Sequence, residues 1–309
     1  MASVPATELR DPGRLRASRR RWLGTQPIGS LFSLPYLVFV LVIFAYPLGF
    51  AVYIAFHDYF FTAPGVEVAK PFVGLDNFVT VLTDERVLES FRNTGVFLLI
   101  NVPLTVVLSM VLATALDSGV RWASAYRIAF YVPYLTASVS LVGVWMLLFS
   151  SGGLINSVLG PLAPSPSWLI SSSLAMPTIA LYVTWKQLGF YILLYLAALQ
   201  NVPRELHESA MTDGANGWQR FRAVTVPGVR SATTLVLILA IITGANLFTE
   251  PYLLTNGGGP DGASSTPVLL IYQQGIQQQN PDTAAAIGML LVIVVGLLSL
   301  TANRLTKES

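Results

Sequence analysis

Long stretches without any charged side chain dominate this sequence of 309 residues. Those that match a membrane span include residues 22–57, 93–116, 128–185, 231–249 and 283–303. A helix needs about 20 mainly apolar residues to cross roughly 30 Å of hydrocarbon. The third stretch is long enough for two helices, because a segment rich in Gly, Pro and Ser divides it. We therefore predict an all-α, polytopic membrane protein with six transmembrane helices, near 31–54, 93–116, 127–149, 174–200, 231–250 and 282–303.

The composition supports a membrane protein. Hydrophobic residues make up 53% of the chain and charged residues 11%, and the mean hydropathy is +0.62, whereas about a quarter of the residues of a soluble domain are charged. The first apolar stretch is longer than the core of a signal peptide, and no small-residue cleavage pattern follows it. We therefore predict that it is kept as the first span.

Basic residues predict the orientation of the chain. Fourteen of the eighteen Lys and Arg residues lie in the leader, in the loops 117–127 and 201–230 or in the C-terminal tail. Three lie in the opposite loops, and Lys186 alone lies inside a predicted span. Because basic loops face the cytoplasm, we predict a multi-pass plasma-membrane protein with both termini cytoplasmic. Residues 1–28 and 304–309 would be the cytoplasmic tails.

Several residue types argue against other classes of site. The chain has no cysteine, and His57 and His207 are too far apart in sequence to suggest a metal site. The phosphate-binding pattern G-x-x-x-x-G-K-[ST] does not occur. The orientation of the chain accounts for the arginines, so we predict no nucleic-acid partner.

The outward loop 55–92 contains a segment typical of a short amphipathic helix, FVGLDNFVTVLTDERVLESF. It would either cap the helix ends or contact a partner. Prolines 47, 103 and 133 lie inside predicted spans, where neighbouring helices can satisfy the freed carbonyl groups. Four glycines are expected to allow close helix approach: Gly143, Gly189, Gly244 and Gly288.

A polar segment, ELHESAMTDGANGWQRFRAVTVPG, interrupts the apolar pattern at residues 205–228. We predict a first helix over 203–212, with Pro203 in its first turn and Asn201 or Val202 at its cap. Gly at the Asp-Gly pair 213–214 would end that helix.

A second short helix would begin near Asn216, present Trp218 and Phe221 three residues apart, and end at Pro227. In the first helix, Leu206 and Ala210 would share one face. The carboxylates Glu205 and Glu208 would point to water or to a partner. The segment would be either an interfacial elbow that only joins two spans or a docking element. DNA binding is a poor explanation, because basic residues are few and both ends enter the membrane.

This segment resembles the "EAA" loop of ATP-binding-cassette importer permeases, whose pattern is E-A-A-x-x-D-G-A, five residues, then F-x-x-I-x-L-P. The spacing is unbroken, Ser209 stands for the first Ala, and Val224 and Val226 stand for Ile and Leu. The matching residues are Glu208, Ala210, Asp213, Gly214, Ala215, Phe221 and Pro227. Flanking segments such as TWKQLGFYILLYLAALQNVPREL resemble the carbohydrate branch, of the maltose and glycerol-3-phosphate type. The likeness covers roughly residues 30–303.

The resemblance implies a type I importer permease fold, with a permease domain over 29–303 and a cytoplasmic coupling loop over 201–228. The loop would dock on a separate ATPase dimer, which alone would bind ATP and Mg and carry the enzyme activity. Glu208 would be the charged contact and Gly214 would allow the turn. Trp218 and Phe221 would hold the loop against the membrane helices. A second, homologous permease, an extracytoplasmic solute-binding protein and membrane lipid would complete the assembly.

A sugar site in this class should combine polar groups with aromatic rings near the membrane midplane. Candidates for the substrate pathway are Trp185, Lys186, Tyr191, Asn246, Phe248, Glu250 and Tyr252. For each of them ordinary helix packing is the competing explanation, and Lys186 would otherwise reach the interface or bond to carbonyl groups. The outward turn TNGGGP is either a simple turn or a contact for the solute-binding protein, through Gly257, Gly258, Gly259 and Pro260.

Two other classes deserve comparison. A self-contained secondary transporter would show inverted repeats and acids inside its spans, and the sequence has no convincing ones. A membrane-embedded enzyme would need a catalytic dyad, a metal cluster or an activated nucleophile, and no such constellation is visible in the sequence.

Overall fold

The computed structural model describes residues 27–62, 65 and 68–307, so most of the predicted basic tail lies outside the described residues. The chain forms two compact units, Met1–Tyr53 and Ile54–Ser309. The first described helices are α1 (Pro27–Val40) and α2 (Tyr46–Ala55), joined by a π-helical turn at Leu41–Ala45. The other helices are α3 (Asp76–Thr83), α4 (Glu85–Asp117), α5 (Ala123–Leu135), α6 (Ser138–Phe149), α7 (Leu154–Leu159), α8 (Ala175–Leu199), α9 (Arg204–Thr212), α10 (Gly217–Arg220), α11 (Val226–Gly228), α12 (Arg230–Ala245), α13 (Thr249–Leu254), α14 (Pro267–Tyr272) and α15 (Pro281–Lys307).

Among the described residues, five helical stretches are long and apolar enough to cross a membrane. They are Leu31–Ala55, Glu85–Asp117, Ser138–Leu162, Ala175–Leu199 and Pro281–Thr306. A sixth is obtained when Gly217–Gly228 and Arg230–Ala245, which meet at a bend of 70°, count as one span. The all-α membrane fold is therefore confirmed. The bent pair corresponds to the fifth predicted span, 231–250, which is a broken one.

The second span starts earlier than predicted. Residues 85–92, assigned from sequence to the amphipathic loop segment, form the first turns of α4. Asp84 stands at the N-cap, where its side chain accepts a hydrogen bond from the backbone N–H of Arg86 at 2.9 Å. The same carboxylate pairs with the Arg86 guanidinium at 2.8 Å, and this hydrogen bond lowers the pKa of Asp84. The charge-free pattern misses these turns because a helix can extend beyond the hydrocarbon.

The third predicted span, 127–149, is not one continuous helix. It is divided into α5 and α6 by an extended step at Thr136 and Ala137, just after Pro133. The Thr136 hydroxyl donates to the carbonyl of Val132 at 2.8 Å, which helps to end α5. The stretch with span length and hydropathy starts at the second helix, Ser138–Leu162.

The fifth predicted span also ends early. Helix α12 has 16 residues and ends at Ala245, and α13 starts a new direction at Thr249. At 1.5 Å per residue, α12 covers roughly 24 Å, less than the hydrocarbon thickness. The chain therefore has irregular backbone close to Glu250.

Helix α8 lies at the centre of the second unit, packed against α4, α5 and α12. Three tyrosines of α8 are among its largest fully buried side chains: Tyr182, Tyr191 and Tyr195. The buried Asn101 of α4 donates its amide to the hydroxyl of Thr184 on α8 at 2.8 Å. At this point two buried polar side chains satisfy each other between neighbouring helices, as a medium without water favours.

The predicted close approaches hold at two of the four glycines. A Cβ atom at Gly189 would overlap the backbone carbonyl of Phe130 on α5, and one at Gly244 would lie 2.7 Å from Leu98 on α4. The prediction is wrong for Gly143, where a Cβ would meet no atom within 4 Å. At Gly288 the nearest atom would be in ordinary contact at 3.7 Å.

Candidate functional site

The polar segment between α8 and α12 forms two short helices; we call residues 201–228 the elbow. Helix α9 starts one residue later than predicted, because Pro203 is its N-cap rather than its first helical residue. At its end, the N–H of Ala215 donates to the carbonyl of Ala210 at 2.9 Å. Gly214 makes this cap possible with a φ of +81°, which side chains with a Cβ disfavour.

The second helix of the elbow starts where the sequence places it. Asn216 caps α10, and the capping box is complete: Asn216 Oδ1 accepts from the N–H of Gln219 at 2.9 Å, and Gln219 Oε1 accepts from the N–H of Asn216 at 2.8 Å. A π-helical turn carries this helix into α11, and it ends at Gly228, one residue after the predicted Pro227 and before the bend at Val229.

The two ends of the elbow meet at the bundle. A Cβ atom at Gly228 would lie 2.8 Å from a methyl group of Val202, so only glycine fits this approach without movement. Thr225 and Val229 are buried next to this contact. The base of the elbow is therefore fixed to the helices that it connects.

The tip of the elbow exposes a mixed surface. Glu208 and Asp213 are exposed, and so are three apolar side chains: Leu206 at 51%, Met211 at 50% and Trp218 at 69%. Large exposed apolar groups beside charges are typical of a binding surface rather than of a solvated connector.

The two predicted anchor rings of the elbow differ in their surroundings. Trp218 stacks on Phe221 with ring centroids 5.6 Å apart. Phe221 is half-buried and lines a cavity of about 360 Å³ with residues of α4 and α9, among them Asp117 and His207. Phe221 thus faces the bundle, whereas Trp218 leaves most of its surface free.

A buried ion pair lies at the middle of α8. Lys186 Nζ is 3.7 Å from Glu250 Oε1, and the two side chains are only 14% and 12% exposed. Lys186 also donates to the hydroxyl of Ser138. Glu250 lies in the first turn of α13 and Ser138 is the first residue of α6, so the breaks that precede these two helices meet at this lysine. The interface-reaching and carbonyl-bonding interpretations of Lys186 are therefore wrong, since its partners are a carboxylate and a hydroxyl.

The structure brings only part of the predicted pathway together. Trp185, at 41% exposed, precedes Lys186 on α8 and its ring lies against Trp145, whereas Tyr191 is 2% exposed inside the helix core. The amide of Asn246 is exposed and donates to the carbonyl of Ile242 within its own helix.

Phe248 and Tyr252 form a separate group with Tyr272, with ring centroids 5.3–5.7 Å apart. The sequence analysis missed the rings next to the ion pair, Trp145 and Tyr182, and also Ser138. Pro133 is the one local sign of a break near Ser138, but a proline inside a span does not show whether the helix bends or ends.

The glycine turn has a conformation that favours glycine at three successive positions. Gly257, Gly258 and Gly259 have φ values of +91°, +118° and +77°, and the N–H of Gly259 donates to the carbonyl of Thr255 at 2.9 Å. A Cβ at Gly259 would lie 2.7 Å from the hydroxyl of Ser264. The turn and Pro260 therefore present backbone at a fixed position.

Membrane-spanning helices, two of them broken around a buried ion pair, and an exposed two-helix elbow define a transport permease. The chain belongs to the family of binding-protein-dependent transport system inner membrane components, whose model matches residues 28–307. It is therefore a membrane-embedded permease subunit of an ATP-binding-cassette importer. This membership does not support the alternative of a self-contained secondary transporter.

Relatives cover most of the chain. It is 33% identical over 283 residues to the arabinooligosaccharides transport system permease protein AraP of Bacillus subtilis, covering 89% of this chain and 87% of AraP. It is 32% identical over 270 residues to the sn-glycerol-3-phosphate transport system permease protein UgpA of Yersinia enterocolitica, covering 86% and 90%.

A chain of a bacterial alginate ABC transporter, crystallised with an alginate pentasaccharide-bound periplasmic protein, has the same fold. Its TM-score is 0.75 at 22% identity, over 95% of this chain and 96% of that one.

Proposed function

We propose that this permease subunit imports a carbohydrate, together with a second homologous permease, an ATPase dimer and an extracytoplasmic solute-binding protein. The names of two relatives support the substrate class, since one transports arabinooligosaccharides and the other lactose. The described residues hold no group of three or more His, Cys, Asp or Glu side chains suited to a metal. ATP and Mg belong to the partner ATPase.

The elbow is the observation that carries this proposal. Its exposed Leu206, Met211 and Trp218 are suited to a groove on another protein, and Glu208 supplies a charge that fixes the register. The base of the elbow is held by the contact between Gly228 and Val202. A displacement of its tip is therefore transmitted to α8 and α12. In this role the elbow is the coupling loop. Glu208 is its charged contact, Gly214 allows its turn, and Trp218 and Phe221 are its aromatic anchors.

The same proposal fixes the orientation. The elbow lies on the side of the membrane that carries most of the basic residues, and this side is cytoplasmic by the positive-inside rule. Both tails share that side, and the glycine turn at Gly257, Gly258, Gly259 and Pro260 faces outward to receive the solute-binding protein. When ATP closes the ATPase dimer, its grooves draw the elbows together and favour the outward-open state of the bundle.

Reconstitution tests the proposal directly. The permease pair is placed in liposomes with and without the ATPase, and uptake of neutral di- and trisaccharides is measured with the binding protein and internal ATP. We expect uptake only when the ATPase and ATP are both present. Uptake without the ATPase would contradict the proposal, and so would ATP-dependent uptake of amino acids in place of sugars.

A further inference from the structure

A cavity of about 520 Å³ opens beside the glycine turn, a size within the range of small-molecule sites. Its walls come from the end of α6, the segment that follows α7, and the turn after α13. Gly259 and Pro260, the proposed contacts of the solute-binding protein, form part of its rim. The cavity therefore lies where a solute released on the outward face would arrive.

The lining of this cavity combines apolar side chains with polar groups that carry no charge. The described lining residues include three serines, a threonine and an asparagine, and none of them is ionisable. Hydroxyl and amide groups can exchange hydrogen bonds with sugar hydroxyls, whereas an anionic solute would find no cation there. The chemistry of the walls favours a neutral, hydroxyl-rich ligand.

Aromatic rings lead from this cavity to the ion pair. Phe149 lines the cavity and stacks on Trp145 at 4.8 Å between centroids, and Trp145 lies 5.6 Å from Trp185. Trp145 also meets Tyr182 at 5.1 Å, and the Tyr182 hydroxyl donates at 3.4 Å to the carbonyl of Ser138, the residue whose hydroxyl accepts from the lysine of the ion pair. We call these three rings, Phe149, Trp145 and Trp185, the aromatic track.

The outer end of the track is held in place. The ring of Trp168 meets Phe149 edge-on at 5.7 Å, and its indole N–H donates to Asn156 Oδ1 at 2.7 Å. The amide of Asn156 donates in turn to the carbonyl of Ser150 at 3.2 Å, and the Ser167 hydroxyl donates to the carbonyl of Phe149 at 2.9 Å. This network is more than ordinary packing requires at an exposed end of a span, and it fixes the wall of the cavity.

We infer that this cavity is an entry site for a neutral oligosaccharide, and that the aromatic track guides the sugar from it toward the buried ion pair. The inference rests on the proposed function and deepens it by naming a site and a charge class. It differs from the pathway that the sequence predicts, because Phe248 and Tyr252 belong to another ring group. An apolar lipid chain or a segment of the second permease is the competing occupant.

The test uses the complete complex, with the binding protein, in liposomes or nanodiscs. Three variants are compared with the unaltered complex: Phe149→Leu, which removes the ring and keeps apolar bulk; Phe149→Tyr, which keeps the ring; and Phe248→Leu, a matched change in the other ring group. Uptake is measured with neutral arabinose- and galactose-based di- to tetrasaccharides, and with a galacturonic acid disaccharide and glycerol phosphate as anionic probes. ATPase stimulation by the binding protein is recorded in parallel.

We expect Phe149→Leu to lower the uptake of neutral sugars about three- to tenfold, the scale of one lost aromatic contact, with ATPase stimulation unchanged. Phe149→Tyr should keep most of the uptake, Phe248→Leu should lose less than Phe149→Leu, and the anionic probes should be taken up poorly by every complex. Unchanged uptake in Phe149→Leu would overturn the inference, as would equal loss in the Tyr variant or efficient uptake of the anionic probes. If the unaltered complex imports no carbohydrate at all, the proposed function itself fails.

Discussion

Glu208 and Glu250 are two carboxylates in a chain with few charges, and their surroundings are opposite. Glu208 lies exposed on α9 beside apolar side chains that are also exposed. Glu250 is buried and has Lys186 as its partner within the same chain. The comparison separates two roles of a carboxylate. Glu208 is exposed and can contact another protein, whereas the charge of Glu250 is neutralised by Lys186 and links helices that begin at breaks.

The largest effect is expected at the elbow. Glu208→Lys reverses the charge that fixes the docking register, so we expect uptake by the assembled importer to be abolished while the subunit still inserts. Uptake and the amount of protein in the membrane are measured together. Glu205→Lys is the matched control, because it makes the same change on the same helix outside the EAA pattern, and it should keep most of the uptake.

Gly214→Pro tests the same conclusion through the backbone. Proline fixes φ near −65°, whereas Gly214 has a φ of +81°. The turn between α9 and α10 would be lost, and uptake with it, while the bundle still inserts. Normal uptake in either Glu208→Lys or Gly214→Pro would mean that the elbow only connects two spans.

The second effect is expected at the ion pair and concerns stability. Glu250→Gln leaves the Lys186 ammonium buried without a carboxylate, and the loss of one partner of a buried pair costs about 3–5 kcal/mol. We expect a clear fall in the midpoint of thermal unfolding of the purified complex.

The double variant Lys186→Met with Glu250→Leu is the control, because it removes both charges and should recover most of the stability. Equal destabilisation in the single and the double variants would show that the pair contributes packing and not charge compensation.

The contrast between the two regions also shows what the sequence can predict. The spans follow from the charge-free runs, and the elbow follows from local signals: an Asp-Gly stop, an Asn cap and a motif with fixed spacing. The ion pair depends on residues 64 positions apart, at Lys186 and Glu250. Nothing local indicates that pairing. Pro133 and Pro251 lie near the two breaks that make it possible, but a proline in an apolar run does not show whether the helix bends or ends.

The third effect tests helix packing around the ion pair. A Cβ at Gly189 would overlap the carbonyl of Phe130, so Gly189→Ala must push α8 and α5 apart, at about 1–3 kcal/mol. Gly143→Ala is the matched control, since a Cβ there meets no atom within 4 Å. We expect a lower unfolding midpoint only for Gly189→Ala. Equal midpoints would show that α5 adapts freely to α8.

The smallest effect is expected at the capping box of the elbow. Asn216→Ala removes the acceptor for the N–H of Gln219 and should cost about 1 kcal/mol of local helix stability. Hydrogen exchange at the Gln219 amide should become faster in the isolated permease, whereas Asn216→Asp, which keeps an acceptor, should change it little. If the ATPase is then added and slows exchange in Asn216→Ala to the level of the unaltered protein, the partner groove holds the elbow. If exchange stays fast in the complex, the elbow depends on its own cap and not on a partner. The conclusion that a partner protein completes the elbow, whereas the ion pair is completed within the chain, would then be wrong.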